Sequence, residues 1–415
     1  MNIQVLNSSK TKQKTSVTIT GSKSESNRLL LLKALFPQID IENISNSDDS
    51  MLMQKALSSD GDIIDIHHAG TAMRFLTAYF SIQEGREVTL TGSSRMKERP
   101  IGILVDALKR LGADIQYLKN EGFPPLKIKG RKLTNSKVTL KANVSSQYIS
   151  ALLLIASKLE NGLELTLDGK ITSVPYIKMT LGLLNEIGVE TKFEDNIISV
   201  KPKVKQTASK TLVVESDWSS ASYYFSIAAL SNVGTALRLS SYKKDSLQGD
   251  SILLELYKEF GIETSFNDNS VIIKKAKKVD SNKTIKFDLS NAPDIAQTIS
   301  ATAFGLGLEC HLTGLHTLKI KETDRLVALK TELEKFGAEV AITDESLHLK
   351  SSDSIKSNIS VDTYNDHRMA MAFAPLGLKT TLQINDAEVV SKSYPQFWED
   401  LKSIGFSVRG YRSKI

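Results

Sequence analysis

Leu326-Val-Ala-Leu-Lys-Thr-Glu-Leu-Glu-Lys-Phe-Gly337, followed by Ala-Glu-Val, is the stretch that decides the fold. Leu326, Leu329, Leu333 and Phe336 fall on one helical face. Gly337 stands where a left-handed C-cap is wanted, and the apolar-polar-apolar triplet after it opens a strand. The phrase recurs at 101–112 before Ala-Asp-Ile, at 179–188 before Val-Glu-Thr, at 252–261 before Ile-Glu-Thr and at 397–405 before Phe-Ser-Val. A weaker copy occupies 51–61.

Between these copies lies a second kind of helix, polar at its start and then small or apolar nearly all round, as a helix buried inside a domain must be. Such helices start at Ser22, Gly70, Ser145, Asp217, Asp294 and Asn365, and a closing glycine follows 39, 42, 43, 44, 43 and 40 residues later. That regularity marks an internal repeat. After the buried helices come alternating strands such as Val88-Thr-Leu-Thr-Gly92, Leu163-Glu-Leu-Thr-Leu167 and Leu308-Glu-Cys-His-Leu312. The unit reads buried helix, strand, loop, surface helix, strand, strand, six times at about 70 residues. The fold class is α/β, and six units in 415 residues divide into two domains of three. Counting units puts the borders near residues 21 and 216: one domain over 22–216, carrying Lys23, Arg95 and Ser145, the other over 1–21 and 217–415, carrying Asp294, Glu322, Arg368 and Lys392. A ligand is expected between such domains.

Composition narrows the function. No apolar run reaches the length of a signal peptide core or a membrane span, so a cytoplasmic protein without membrane contact is expected. The one cysteine, Cys310, excludes an internal disulfide and reads as a buried strand thiol. The six histidines show no ligand spacing on a helix, so no metal is expected. Net charge is +6, from 53 basic and 47 acidic residues, yet no long Lys/Arg block interleaves with aromatics. The mild excess suits an anionic substrate site or a merely solvated surface better than nucleic acid.

The unusual polar residues gather at two places in each unit, the start of the buried helix and the loop before the surface helix. Gly21-Ser-Lys-Ser-Glu-Ser-Asn-Arg28 opens a helix with two cations and three hydroxyls, which suits an anion at the free N–H groups. Other helix starts carry Gly70, Thr71 and Arg74; Ser145, Ser146 and Gln147; Asp294; and Asp366, His367 and Arg368. The loops carry Arg95-Met-Lys-Glu-Arg99, Ser173-Val-Pro-Tyr176, Lys321-Glu-Thr-Asp-Arg325 and Lys392-Ser-Tyr-Pro395. Lys23, Arg28, Arg95, Lys321, Arg325, Arg368 and Lys392 make seven cations, and two phosphates with two carboxylates would bring roughly −5 to −6 to meet them. Asp294 and Glu322 are the candidate acid and base, with His367 a third titrating group. Taken alone, each favours the plainer reading, Asp294 as an N-cap, Glu322 as a solvated charge and His367 as a core histidine; in equivalent repeat positions the set favours function.

Gly21 to Arg28, Ala69-Gly-Thr-Ala-Met-Arg74, Arg95-Met-Lys-Glu-Arg-Pro100, Ser145-Ser-Gln147, Lys321 to Arg325 and Tyr364-Asn-Asp-His-Arg-Met369 resemble, in order and spacing, the signature segments of the enolpyruvylshikimate phosphate synthase family. The resemblance runs from end to end. It implies a two-domain inside-out α/β barrel of six βαβαββ repeats, three per domain. It implies a monomer without metal or cofactor that transfers the enolpyruvyl group of phosphoenolpyruvate to the 5-hydroxyl of shikimate 3-phosphate, in the pathway to chorismate. Shikimate 3-phosphate should then meet Lys23, Ser24, Arg28, Ser145, Ser146, Ser173, Asp294 and Lys321. Phosphoenolpyruvate should meet Lys23, Gly70, Arg95, Gln147, Arg325, Arg368 and Lys392. Asp294 would take the hydroxyl proton, Glu322 would protonate C3 and Lys23 would stabilise the departing phosphate, with exchange of the two carboxylate roles left open. Gly70 is expected to lack a side chain because a substrate approaches its backbone. Two positions depart from the family: Thr317 stands where Asn is common, and Phe75 where Pro is common, which bears on the family's inhibitor glyphosate. The nearest rival is the sister transferase acting on UDP-N-acetylglucosamine, which usually places a reactive cysteine in a mobile loop. Cys310 reads as a strand residue. A basic nucleic-acid module, which would show affinity falling steeply with salt and little effect of Asp294→Ala or Glu322→Ala, and a solenoid scaffold, which needs no cations at equivalent helix starts, are further alternatives.

Overall fold

The computed structural model describes residues 1–7, 11–12, 14–142, 145–169, 171, 173–203 and 209–411. Contacts divide the chain into two units, Gly21–Val214 and Met1–Thr20 with Glu215–Ile415, each with its own apolar core.

In the Gly21–Val214 unit the helices are α1 (Lys23–Leu35), α2 (Asp48–Leu57), α3 (Gly70–Ser81), α4 (Gly102–Leu111), α5 (Ser146–Ala156) and α6 (Val174–Glu186). Ser22 and Ser145 cap α1 and α5 as N-cap residues should. Two repeats build matching four-stranded sheets. Ile63–Asp65 pairs parallel with Glu87–Thr91, which pairs antiparallel with Leu126–Lys129, which pairs with Asp114–Tyr117. Lys137–Lys141, Leu163–Asp168, Ile197–Val200 and Thr191–Glu194 repeat that order. In both, the strand before the buried helix lies parallel to the strand after it, as a βαβ crossover requires.

The other unit holds α7 (Trp218–Leu230), α8 (Leu253–Leu256), α9 (Ala296–Gly305), α10 (Arg325–Lys335), α11 (His367–Phe373) and α12 (Phe397–Ser403). Of the three sheets its described residues form, that of Thr284–Asp288, Glu309–Thr313, Leu347–Leu349 and Val340–Ile342 follows the same order within one contiguous repeat. The remaining sheets need distant chain. In the last, Ile359–Val361 and Leu382–Ile384 are joined by Asn2–Val5, which pairs antiparallel with both Leu382–Ile384 and Val408–Tyr411. The chain start thus completes the sixth repeat.

The two crossings exchange strands. Lys14–Thr18 precedes α1 but pairs parallel with Ala236–Ser240, the strand after α7. Lys210–Val213 precedes α7 but pairs parallel with Ile39–Glu42, the strand after α1. This explains the weak copy at 51–61: among the described residues the first repeat has no closing hairpin, and α2 leads directly into Ile63–Asp65. The closing glycines Gly112, Gly188, Gly261, Gly337 and Gly405 have φ of 110, 81, 75, 99 and 114°, whereas Gly61 does not adopt that conformation. The surface helix expected over 252–261 is in three short pieces, a 3₁₀ turn Gly249–Ile252, α8, and a 3₁₀ turn Tyr257–Phe260. Tyr257 and Phe260 are both fully buried, and a 3₁₀ turn places residues three apart on one face. Cys310 is buried in its strand, and burial pushes its thiol up to about 12, which removes it as a nucleophile. No helix of the described residues is long and apolar enough to cross a membrane.

Candidate active site

In the Gly21–Val214 unit the expected residues surround the first turns of α1, α3 and α5. Lys23 Nζ lies 3.5 Å from Asp49 Oδ2 in the first turn of α2, and the same carboxylate has its Oδ1 3.7 Å from His68 Nε2. Arg28 is buried. Its Nε donates to Thr180 Oγ1 at 2.8 Å, Nη1 to the Ser24 carbonyl at 2.7 Å, and Nη2 to Ser150 Oγ at 3.0 Å and the Tyr176 carbonyl at 3.4 Å. These are neutral oxygens on α1, α5 and α6. Burial therefore dominates and draws the guanidinium down to about 10 in spite of Glu25.

Gly70 opens α3 without a side-chain cap. A Cβ there would stand 2.4 Å from Arg99 Nη1, so the space is taken by a guanidinium of this chain. The neighbour there is the far end of a flexible side chain, which can move aside. Arg74 donates to the Gly70 carbonyl at 3.1 Å and to the Pro100 carbonyl at 2.9 Å, tying the loop to the helix. Arg95 is exposed and paired with Glu98 at 2.9 Å. Ser145 caps α5 by accepting from Gln147 N at 3.4 Å, Ser146 is the first helical residue, and Gln147 Nε2 donates to Thr71 Oγ1 at 3.3 Å. Ser173 enters α6 at φ 54°, a conformation that costs a non-glycine residue about 1–3 kcal/mol and is typical of functional sites.

The second unit centres on a buried arginine of the opposite kind. Arg325, first residue of α10, donates through Nε to Asp366 Oδ2 at 2.6 Å, through Nη1 to Asp294 Oδ1 at 2.8 Å and through Nη2 to Glu322 Oε2 at 2.7 Å. Burial pulls its pKa down, but the carboxylates of Asp366, Glu322 and Asp294 outweigh it and the net shift is upward. Asp294, in the 3₁₀ turn before α9, also receives Lys321 Nζ at 3.4 Å and Arg368 Nη2 at 3.3 Å. Asp366 caps α11 by accepting from Arg368 N at 2.9 Å, and His367 Nδ1 is buried 3.8 Å from Asp366 Oδ1. Lys392 Nζ donates to the Asn365 carbonyl at 2.6 Å, which Tyr364 and Asn365 present by both turning to positive φ. Thr317 Oγ1 is buried without a hydrogen-bond partner among the described residues.

Asp294, Glu322, Lys321, Arg325, Arg368 and His367 are thus brought into one cluster with Asp366. Lys23, Ser24, Arg28, Gly70, Ser145, Ser146, Gln147 and Ser173 cluster in the other unit, with Arg95 turned to solvent. Reading the residues in sequence missed Asp49, Arg99 and Asp366 as partners. Asp49 follows Ser47 as an ordinary acidic first turn, Arg99 stood inside a quoted loop, and Asp366 was named at its helix start without being matched to Arg325.

Fold and site together define an α/β repeat protein that presents cations and carboxylates for anionic substrates. A profile described as EPSP synthase (3-phosphoshikimate 1-carboxyvinyltransferase) matches residues 54–401. A 3-phosphoshikimate 1-carboxyvinyltransferase of Bacteroides fragilis is 45% identical over 405 residues, covering 95% of this chain and 96% of the relative. One from Colwellia psychrerythraea is 36% identical over 417 residues, covering 93% and 96%. The chain belongs to the EPSP synthase family. A solved EPSP synthase from Acinetobacter baumannii superposes with TM-score 0.80 over 99% of this chain and all of its own, at 22% identity. The enolpyruvyl transferase NikO from Streptomyces tendae shares the fold with TM-score 0.74 at 13% identity, covering 98% of each chain.

Proposed function

We propose that this chain transfers the enolpyruvyl group of phosphoenolpyruvate to the 5-hydroxyl of shikimate 3-phosphate, releasing phosphate, as a step of aromatic amino acid biosynthesis. The hydroxyl oxygen bonds to C2 of phosphoenolpyruvate, its proton passes to a base and C3 gains a proton. The tetrahedral adduct then loses phosphate from C2 and a proton from C3.

The observation that carries the reading is the Asp294 carboxylate, contacted by Arg325, Lys321 and Arg368, with Glu322 on the same Arg325. Both carboxylates are partly exposed, so each can meet a substrate while a shared guanidinium fixes their relative placement. Asp294 is the base for the hydroxyl and Glu322 the acid at C3. Arg28, whose buried charge has only neutral oxygens in hydrogen-bond contact, suits the shikimate phosphate, with Ser24, Ser145, Ser146 and Ser173 as neutral donors. Lys23 is assigned to the departing phosphate and must leave Asp49 to serve it. His367 and Lys392 complete the catalytic and phosphoenolpyruvate sets. The enzyme is taken to act as a cytoplasmic monomer on these two small molecules, which sedimentation of the purified chain tests.

A phosphate-release assay with both substrates decides the matter. Wild type should turn over and Lys23→Met should be strongly impaired. Release with UDP-N-acetylglucosamine but not with shikimate 3-phosphate would establish the rival acceptor.

A further inference from the structure

Asp250 is a buried carboxylate that the proposed chemistry does not use. It stands in the 3₁₀ turn Gly249–Ile252, 4% exposed. Its Oδ2 accepts a hydrogen bond from the hydroxyl of Ser219 in the first turn of α7. Ser219 Oγ in turn accepts from Arg368 Nη2 at 3.3 Å, and that same nitrogen lies 3.3 Å from Asp294 Oδ2. Arg368 Nη1 donates to the Asp294 carbonyl at 3.2 Å. A chain of contacts therefore runs from Asp250 through Ser219 and Arg368 to Asp294.

The fold does not need a charge at this position. The segment is held to α7 by neighbours: Gln248 Oε1 accepts from Trp218 N at 3.0 Å, and Gln248 Nε2 donates to the Ser216 carbonyl at 2.9 Å. Glu215 accepts from Trp218 Nε1 at 2.7 Å and from Lys243 N at 2.9 Å. Asp250 Oδ1, by contrast, has no hydrogen-bond partner among the described residues. A half-satisfied buried carboxylate is costly, and burial, then the nearby Asp294, push it up to about 6 against the pull of Arg368 and Ser219. Costs of this kind persist where function requires them.

We propose that Asp250 is a positioning residue that fixes the Arg368 guanidinium against Asp294 by fixing the Ser219 hydroxyl. A carboxylate at position 250 can only accept, so it commits the Ser219 proton to itself and leaves the Ser219 lone pairs for Arg368. Without it the hydroxyl is free to turn and compete for Asp294. This rests on reading Arg368 as a phosphoenolpyruvate ligand and Asp294 as the base.

The test is steady-state phosphate release by the full chain carrying Asp250→Asn, Ser219→Ala or both. Each single variant should raise the KM for phosphoenolpyruvate about tenfold, leave that for shikimate 3-phosphate within about twofold, and show no fall in thermal midpoint. The double variant should be no worse than the poorer single, since both cut one chain of contacts. Wild-type kinetics in Asp250→Asn, multiplying losses in the double variant, or losses that track a falling thermal midpoint would each overturn the proposal. Asp294→Ala is measured alongside. If it retains turnover, the underlying catalytic reading fails; if it is inactive while Asp250→Asn is normal, only the role of Asp250 fails.

Discussion

Arg28 and Arg325 are each 2% exposed, one in each unit, yet they are solvated by the protein in opposite ways. Arg28 rests on hydroxyls and carbonyls, and burial lowers its pKa from 12.5 to about 10. By the usual conversion that depression is on the order of 3 kcal/mol against the charged form. Arg325 rests on Asp294, Glu322 and Asp366, and is shifted upward despite the same burial. The difference lies in the contacts: Arg325 has three carboxylates against it, whereas Arg28 has a charge that the fold leaves without a contacting carboxylate. On the proposed reading, Arg325 holds the two catalytic carboxylates in place and Arg28 waits for the phosphate of the substrate.

Removing Arg325 should give the largest effect. Arg325→Met leaves Asp366 and Asp294 without their main cation and should cost about 3–5 kcal/mol of stability as well as activity; a loss below about 1 kcal/mol in denaturant titration would erase the contrast. Asp250→Asn should go the other way. Its carboxyl has a folded pKa of about 6 against an ordinary 3.8, raised by burial and by Asp294 and Asp217, lowered by Arg368 and Ser219. A raised folded pKa gives stability that is full below about pH 3.8 and lost as pH rises through about 6. The asparagine variant, which cannot ionise, should thus be more stable than wild type at pH 7.5 by up to about 3 kcal/mol, the gap closing near pH 4. Equal thermal midpoints at both pH values would contradict this.

Arg28→Met sharpens the comparison from the other side. Stability should change little or rise, because a buried charge without a contacting carboxylate is replaced by an apolar chain. The KM for shikimate 3-phosphate should rise about ten- to a hundredfold, the worth of a charged hydrogen bond. A stability loss as large as that of Arg325→Met would mean that the two arginines do the same work. Smallest of all, Arg95→Ala removes an exposed pair with Glu98 and should shift stability by less than about 0.5 kcal/mol, while weakening phosphoenolpyruvate binding in a competition measurement.

Much of this was legible along the chain. Buried helices were expected at Ser22, Gly70, Ser145 and Asp217, and α1, α3, α5 and α7 begin within one residue of those positions. The later two were read less well: α9 is preceded by a 3₁₀ turn that carries Asp294, and α11 starts two residues after Asn365 because Tyr364 and Asn365 take positive φ. Asp250 carried no sequence signal, since an acidic residue after Gln248-Gly249 reads as an ordinary polar turn.

The sequence by itself determined the repeat, the two kinds of helix, the glycine caps and the identity of the polar clusters. Those depend on apolar periodicity and on hydrogen bonds within a few residues, which neighbouring side chains dictate. Only the tertiary structure decided that Asn2–Val5 closes the last sheet, that Lys14–Thr18 and Lys210–Val213 exchange places, and that Asp250 reaches Asp294 through Ser219 and Arg368. An open strand edge accepts any suitable strand, however distant in the chain, and a buried charge takes its pKa from whichever groups the fold brings to it.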